Sequence, residues 1–133
     1  MRFLLKFFGI TLGLIAALCA SIAVWGALSP VVVLHYESGA TQPLGYFFND
    51  NLHITKAGLV PGETVKFPTA MFPGPDMWIL LSFPWEDGDH LEITKPFDRI
   101  DVFIRPGGKI ERTVIRNRFF SRFTEPTAQC DPC

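Results

Sequence analysis

Arg99 to Arg116 reads RIDVFIRPGGKIERTVIR, two runs of alternating apolar and polar residues around Pro106-Gly-Gly. Alternation with a period of two is typical of a strand that buries one face. Glycines between two such runs favour a tight turn. This stretch therefore predicts a β-hairpin with its turn at 105–109.

Prolines and glycines divide the chain after residue 28 into short runs rich in Val, Ile, Phe and Thr. No run keeps a helical period, so all are predicted as strands. The predicted strands cover 31–37, 44–48, 52–55, 63–67, 77–83, 90–94, 99–105 and 109–116. Because Met77–Phe83 (MWILLSF) is continuously apolar, it is expected to be central and covered on both faces. The predicted core consists of Trp78, Leu80, Phe83, Val33, Phe67, Val102 and Ile104.

About seven strands in about a hundred residues predict an all-β domain, a small β-sandwich that resembles the immunoglobulin-like type. The paired cysteines of antibody domains do not occur in it, so the resemblance is architectural. Residues 29–123 are expected to form this domain, and residues 124–133 a flexible C-terminal tail.

Phe7 to Leu28 (FFGITLGLIAALCASIAVWGAL) contains no charged residue. At about 1.5 Å per residue a helix of this length reaches roughly 33 Å, enough to cross a hydrocarbon layer of about 30 Å. A secretory signal is the alternative, but Pro30 directly follows the Ala27-Leu28-Ser29 cleavage option. We therefore expect residues 7–28 to be an uncleaved single-pass transmembrane helix.

Basic residues give this helix a predicted orientation. Arg2 and Lys6 precede it, whereas residues 29–41 contain no Lys or Arg. The positive-inside rule then places residues 1–6 in the cytoplasm and the C-terminal domain outside. No Asn-x-Ser/Thr acceptor occurs, which disfavours a glycosylated lumenal protein. The predicted location is a bacterial inner membrane, with the domain in the periplasm.

Gly9, Gly13 and Ala17 recur four residues apart within the helix. This spacing lets two helices approach closely and suggests a homodimer, although small residues are also ordinary in membrane helices.

Cys130 and Cys133 end the chain as CDPC. Outside the cytoplasm we expect a local disulfide or a tether to another chain, because a redox motif requires a following helix.

Pro84 to Glu92 (PWEDGDHLE) combines a tryptophan with four acids: Trp85, Glu86, Asp87, Asp89 and Glu92. The acids do not follow the calcium-loop register, and no G-x-S-x-G nucleophile motif accompanies the Asp89-His90 pair. No enzymatic activity, cofactor or metal is predicted. The simpler interpretation is a soluble turn. The functional one is a docking surface, in which the tryptophan anchors a protein partner and the carboxylates steer it.

The charge balance reverses between residues 99 and 122, where seven basic residues stand against two acids. In an extended chain four arginines point to one side: Arg112, Arg116, Arg118 and Arg122. One interpretation is an edge strand whose arginines pair with acids such as Asp98 or Asp101. The other is a cationic stripe for anionic lipid headgroups or an acidic partner. Nucleic acid is not an expected partner of an external domain.

Two classes of function remain open. The first is a periplasmic protein-binding module of immunity or inhibitor type that neutralises a toxin. In size, anchor and charged surface, the chain is similar to the small envelope-anchored immunity proteins of bacteria, an analogy of layout. The second is a non-catalytic accessory or structural subunit of a bacterial membrane assembly, with the small-residue face of the helix as its interface.

Overall fold

The computed structural model describes residues 1–123. The chain begins with the apolar helix α1 (Arg2–Leu28). Within its segment Phe3–Leu28, an 18-residue window has a mean hydropathy of 2.3, and none of that window is buried inside the protein. At about 1.5 Å per residue this segment is roughly 39 Å long, so it is long enough and apolar enough to span a membrane. Its orientation and cellular location stay predictions. The predicted tail 124–133, with Cys130 and Cys133, lies outside the described residues.

Eight strands follow within the described residues, one for each predicted segment. They are β1 (Val31–Tyr36), β2 (Leu44–Asn49), β3 (Ile54–Leu59), β4 (Thr64–Pro68), β5 (Ile79–Ser82), β6 (His90–Ile93), β7 (Arg99–Arg105) and β8 (Lys109–Arg116), and a short 3-10 helix spans Phe119–Arg122. The strands form two four-stranded sheets, in the orders β4-β1-β7-β8 and β3-β2-β5-β6. Buried residues of both sheets form one apolar core. The fold is therefore mostly β and sandwich-like.

The predicted hairpin is confirmed. β7 and β8 pair antiparallel from Arg99 opposite Arg116 to Arg105 opposite Lys109. In the turn, Gly107 and Gly108 have φ angles of 79° and 75°, a backbone conformation that glycine adopts without the steric cost of a side chain. β8 is an edge strand of its sheet, as the edge-strand interpretation of its arginines predicted.

The prediction that the 77–83 segment is covered on both faces is wrong. β5 is an internal strand, but only alternate residues, Ile79 and Leu81, are fully buried. Trp78 and Leu80 are half-exposed, whereas Phe83 is buried as expected. The remaining predicted core residues are buried, except that Phe67 is half-buried against the core: Val33, Phe67, Val102 and Ile104.

The strands that are buried on both faces are the parallel neighbours β1 and β7. Their core-facing residues are apolar, and Val33 and Asp101 on the opposite face are also completely buried. Part of that outer face is covered by polar side chains that bind one another, including Arg99 and Asp101. An apolar sequence run does not reveal such cover, which explains why the prediction of cover on both faces is wrong for the 77–83 segment.

β3 begins at Ile54, two residues later than predicted, and continues to Leu59. The reason lies in the preceding turn, where Asp50 Oδ1 accepts backbone hydrogen bonds from Leu52 (3.0 Å) and His53 (2.6 Å). Asn51 adopts a positive φ of 70°. Asp and Asn favour turns through such side-chain contacts with the backbone, and this local preference outweighs the apolar Leu52.

The strand directions give the sandwich two ends. The helix end consists of the connections 50–53, 69–78, 94–98 and 117–123, and the far end consists of 37–43, 60–63, 83–89 and 106–108. At the helix end, the Phe72 ring lies 6.0 Å from the Trp25 ring, and Thr69 N–H donates to Pro30 O at 2.8 Å. The acidic 83–89 connection therefore lies at the end opposite α1.

Candidate functional site

Trp85 lies in the 83–89 connection at the far end, with 47 % of its surface exposed. Two backbone hydrogen bonds shape the loop around it: Trp85 N–H donates to Phe83 O and Gly88 N–H donates to Trp85 O, each at 2.9 Å. Glu86 and Asp87 occupy the exposed corner of this turn. The structure thus keeps the tryptophan and three of the four predicted acids in one loop, two of them at its exposed corner.

Asp89 has a structural role in the same loop. Its backbone N–H donates to Gly108 O at 2.9 Å, and its carboxylate accepts the Ile110 N–H at 2.8 Å. Lys109 Nζ lies 3.5 Å from the same carboxylate. The hydrogen bond from Ile110 is the main reason that the pKa of Asp89 lies below its ordinary value. Desolvation opposes this effect, and the charge and hydrogen bond of Lys109 add to the lowering. Asp89 therefore joins the loop to the β7–β8 hairpin.

Glu92 is separated from the loop. It lies on β6 opposite Leu80, and its carboxylate accepts the Trp78 Nε1–H at 2.8 Å. Glu92 and half-exposed Trp78 therefore form a pair on the outer face of the β3-β2-β5-β6 sheet. The sequence predicts Glu92 to act with the loop because the two are close along the chain. In the structure, β6 places the Glu92 side chain on the sheet face, away from the loop.

Two glycines hold the loop close to the buried Phe83. A Cβ added to Gly88 would lie 2.1 Å from Phe83 O, and one added to Gly108 would lie 2.6 Å from Phe83 Cβ. Neither position accommodates a side chain without movement of the backbone. The Trp85 loop (83–89) is consequently packed against the hairpin.

We expect Gly88→Ala to destabilise the domain by about 1–3 kcal/mol, the usual cost of forcing a methyl group into packed structure, and to change the Trp85 emission because its loop must move. Urea unfolding of the full-length protein in detergent, followed by fluorescence, measures both effects. Gly74→Ala is the matched control, because its Cβ would meet no atom within 4 Å. Equal stability of the two variants would contradict the described packing of the loop.

A groove of about 130 Å³ lies beside Trp85. Three far-end connections and the adjoining strand ends supply its lining: Tyr36, Thr41, Gln42, Pro43, Leu44, Trp85, Pro106 and Gly107. Tyr36 O–H donates to Gln42 O at 2.8 Å and holds one wall. Burial, and secondarily the charge of Glu37, raise the pKa of Tyr36, so its hydroxyl stays neutral. Because the lining comes from separate segments, the sequence did not reveal this groove.

The four arginines do not form one stripe, because the extended chain ends at Arg116 and a 3-10 helix follows. On β8, the guanidinium of Arg112 lies 4.2 Å from the Phe103 ring centre. Arg118 is exposed immediately before the 3-10 helix. Arg122, within it, donates through Nε to Asp98 at 2.8 Å and also binds the Leu28 carbonyl. Asp98 thus pairs with an arginine, but with one of the 3-10 helix and not with one of the edge strand as predicted. A role for any of the four in partner binding stays a prediction.

Asp101 belongs to a buried network that sequence reasoning missed. Arg99 donates to both of its carboxylate oxygens at 2.9 Å, and His35 Nε2 lies 2.8 Å from Oδ1. Desolvation by burial acts to raise the pKa of Asp101, but the hydrogen bonds from His35 and Arg99 and their charges outweigh it and lower the pKa. Register on parallel strands brings His35 and Asp101 together, and the sequence alone gave no signal for this pairing.

Thr64 Oγ1 lies 3.3 Å from His35 Nδ1, so a hydroxyl, an imidazole and a carboxylate follow one another as in serine hydrolases, but with the two imidazole nitrogens exchanged, because Nε2 faces the carboxylate. In those enzymes the carboxylate stabilises the charged imidazolium. Here Arg99 already neutralises the Asp101 carboxylate through two hydrogen bonds. The arrangement therefore supports a structural connection among β4, β1 and β7 better than nucleophilic catalysis.

Gly9 and Gly13 of α1 have no atom within 4 Å of an added Cβ, so this face of the helix is open along with Ala17. Helix pairing stays a prediction.

Among residues 1–123, no group of three or more His, Cys, Asp or Glu side chains is placed to hold a metal ion. The chain matches no protein-family model, no curated protein and no solved structure.

Proposed function

We propose that the protein is a membrane-anchored protein-binding module that captures a partner protein at the far end of its sandwich. The observation that carries this proposal is the position of half-exposed Trp85 beside a groove, at the end opposite the apolar helix α1. Tryptophan is enriched among the residues that dominate binding energy at interfaces. A surface directed away from the membrane is the one that a second protein reaches most easily.

The chemistry of the far end favours a partner with a basic, partly apolar surface. The exposed acids Glu37, Glu86 and Asp87 lie on two of the connections that line the groove or adjoin it. Negative charges at the rim accelerate association with a basic partner, whereas the groove accepts an apolar side chain. The Trp85 loop packs closely at Gly88 and Gly108 and is joined to the hairpin through Asp89, and a loop ordered before binding loses little conformational entropy.

The most specific form of the proposal is an immunity or inhibitor protein of the bacterial envelope. In this form α1 spans the inner membrane with its N-terminus in the cytoplasm, and the sandwich binds a toxin in the periplasm. The basic residues Arg2 and Lys6, in the first turns of α1 and ahead of its charge-free part, support this orientation. We propose that the sandwich resembles the immunoglobulin type only in having two facing sheets. Its topology differs, because β1 and β2 lie in different sheets, whereas the first two strands of an immunoglobulin domain lie in the same sheet.

An accessory subunit of a membrane assembly is the second candidate. The observation that favours it is the open small-residue face of α1 at Gly9 and Gly13, where another helix backbone can approach closely. Cross-linking within membranes distinguishes the two candidates. A partner joined to α1 supports the subunit, and a partner joined to the Trp85 loop supports the binding module.

Trp85→Ala is expected to weaken partner binding by about 2 kcal/mol, roughly 30-fold in Kd, mainly through faster dissociation. Trp78→Ala is the matched control, because Trp78 is a half-exposed tryptophan on a sheet face away from the groove. Binding kinetics of the full-length protein in detergent, with the cross-linked partner purified, measure both variants. Equal loss in the two variants, or no loss in either, would exclude Trp85 as the anchor.

The double variant Glu86→Gln, Asp87→Asn is expected to slow association and to flatten its dependence on ionic strength, with little change in dissociation. Both side chains are exposed at the loop corner, and exposed rim charges act mainly on the rate of encounter. Association rates at two salt concentrations test this expectation. Parallel salt dependence in wild type and variant would show that these carboxylates do not steer the partner.

A further inference from the structure

Exposed apolar side chains are unevenly distributed over the sandwich. Within residues 29–123, nine large apolar side chains are exposed. Seven lie in the helix-end connections or within two residues of them: Leu52, Ile54, Phe72, Ile115, Phe119, Phe120 and Phe123. Only Val60 and Trp85 lie at the far end. A concentration of exposed apolar residues at one end marks a surface that another apolar phase or molecule covers.

Phe72 shows at what depth this end lies relative to the helix. It is 79 % exposed, and its ring centre lies 6.0 Å from that of Trp25. Trp25 precedes the last residue of α1 by three positions, where tryptophan in a membrane helix occupies the interfacial layer. Because Phe72 contacts Trp25, any bilayer that reaches Trp25 also reaches Phe72.

The segment 117–123 is held at the same depth, next to the C-terminal end of α1. Arg122 binds the carbonyl of Leu28, the last helical residue, and pairs with Asp98. Beside it, the Phe119 ring lies 5.7 Å from that of Phe120 and 6.0 Å from that of Phe123. Phe120 is 77 % exposed and Phe123 is 54 % exposed. Three phenylalanines are thus fixed next to the point where α1 ends.

We propose that the helix end of the sandwich docks onto the phospholipid surface of the bilayer that α1 enters. Phe72, Phe120 and Phe123 enter the interfacial layer, as phenylalanines on the apolar face of membrane-surface elements do, and removal of their apolar surface from water stabilises the docked state. Exposed Arg118 lies between β8 and the aromatic cluster and meets headgroup phosphates, which guanidinium groups bind well. Docking directs the far end, with Trp85, away from the membrane.

The experiment places a tryptophan reporter at the docking surface of the full-length protein in lipid nanodiscs. Phe120→Trp and Phe123→Trp are the two reporters, and both replace exposed side chains. Val60→Trp is the matched control, because Val60 is 55 % exposed at the far end. Fluorescence is compared between nanodiscs of ordinary phosphatidylcholine and of phosphatidylcholine brominated near the start of its acyl chains, since bromine quenches indole on contact.

The emission added by Phe120→Trp or Phe123→Trp, relative to the unsubstituted protein, should fall at least twofold in brominated nanodiscs. The emission added by Val60→Trp should not change. Equal behaviour of all three reporters would overturn the docking proposal. The inference rests on the proposed anchoring, and native Trp25 tests that separately: quenching in the unsubstituted protein that is lost in Trp25→Phe shows that α1 has entered the bilayer. Unquenched native emission would overturn anchoring and docking together.

Discussion

Asp101→Ala is expected to destabilise the domain by about 3–5 kcal/mol, the usual cost of removing one partner from a buried ion pair. Asp101 is completely buried and Arg99 is 2 % exposed. Without the carboxylate, the Arg99 guanidinium keeps its charge inside the protein and loses two hydrogen bonds of 2.9 Å. His35 loses its partner at 2.8 Å as well. The expected loss is a large share of the 5–15 kcal/mol typical of a whole domain.

Urea unfolding of the full-length protein in detergent, followed by tryptophan fluorescence, measures this loss. Glu111→Ala is the matched control, because Glu111 also binds an arginine, Arg105, at 2.6 Å but on the exposed surface. Exposed ion pairs contribute only about 0–1 kcal/mol. A similar small effect for Asp101→Ala would mean that the buried network is dispensable and that other contacts hold β1 against β7.

The same network predicts how stability depends on pH. Arg99 and His35 lower the pKa of folded Asp101 below its ordinary value, although burial opposes them. A carboxyl group with a depressed folded pKa contributes stability above the unfolded pKa, about 3.9, and loses it as the pH falls through the folded pKa. Unfolding free energies measured from pH 6 downward should therefore decrease below about pH 4 in the wild type. The decrease should be smaller in Asp101→Asn, and identical slopes would contradict the assignment.

Leu81→Ala is the second substitution with a large expected effect, a loss of about 2–5 kcal/mol. Leu81 is completely buried in β5, within the core shared by both sheets, so truncation leaves a cavity. Leu80→Ala is the control from the same strand, because Leu80 faces away from the core and is half-exposed. It should lose clearly less, and the comparison uses the same urea unfolding experiment. Equal losses would restore the original prediction that β5 is covered on both faces.

The sequence by itself determined the features that depend on neighbouring residues. The charge-free run after Lys6 predicted the long apolar helix, and the alternation around Gly107 and Gly108 predicted the hairpin between β7 and β8. Turn residues between short apolar runs predicted segments that coincide with all eight strands within a few residues. These predictions succeed because strand and turn preferences depend on local sterics and on the periodicity of apolar residues.

Only the tertiary structure decided what covers each face and which distant residues meet. His35 and Asp101 are 66 positions apart and come into contact through the parallel pairing of β1 with β7. Glu92 and Trp85 are close in sequence, but a strand carries Glu92 to a sheet face. The groove beside Trp85 combines three connections, and Arg122 reaches back to Leu28 across 94 positions. Periodicity specifies which side chains share a face of a strand, whereas the cover over that face depends on long-range pairing, which no local pattern encodes.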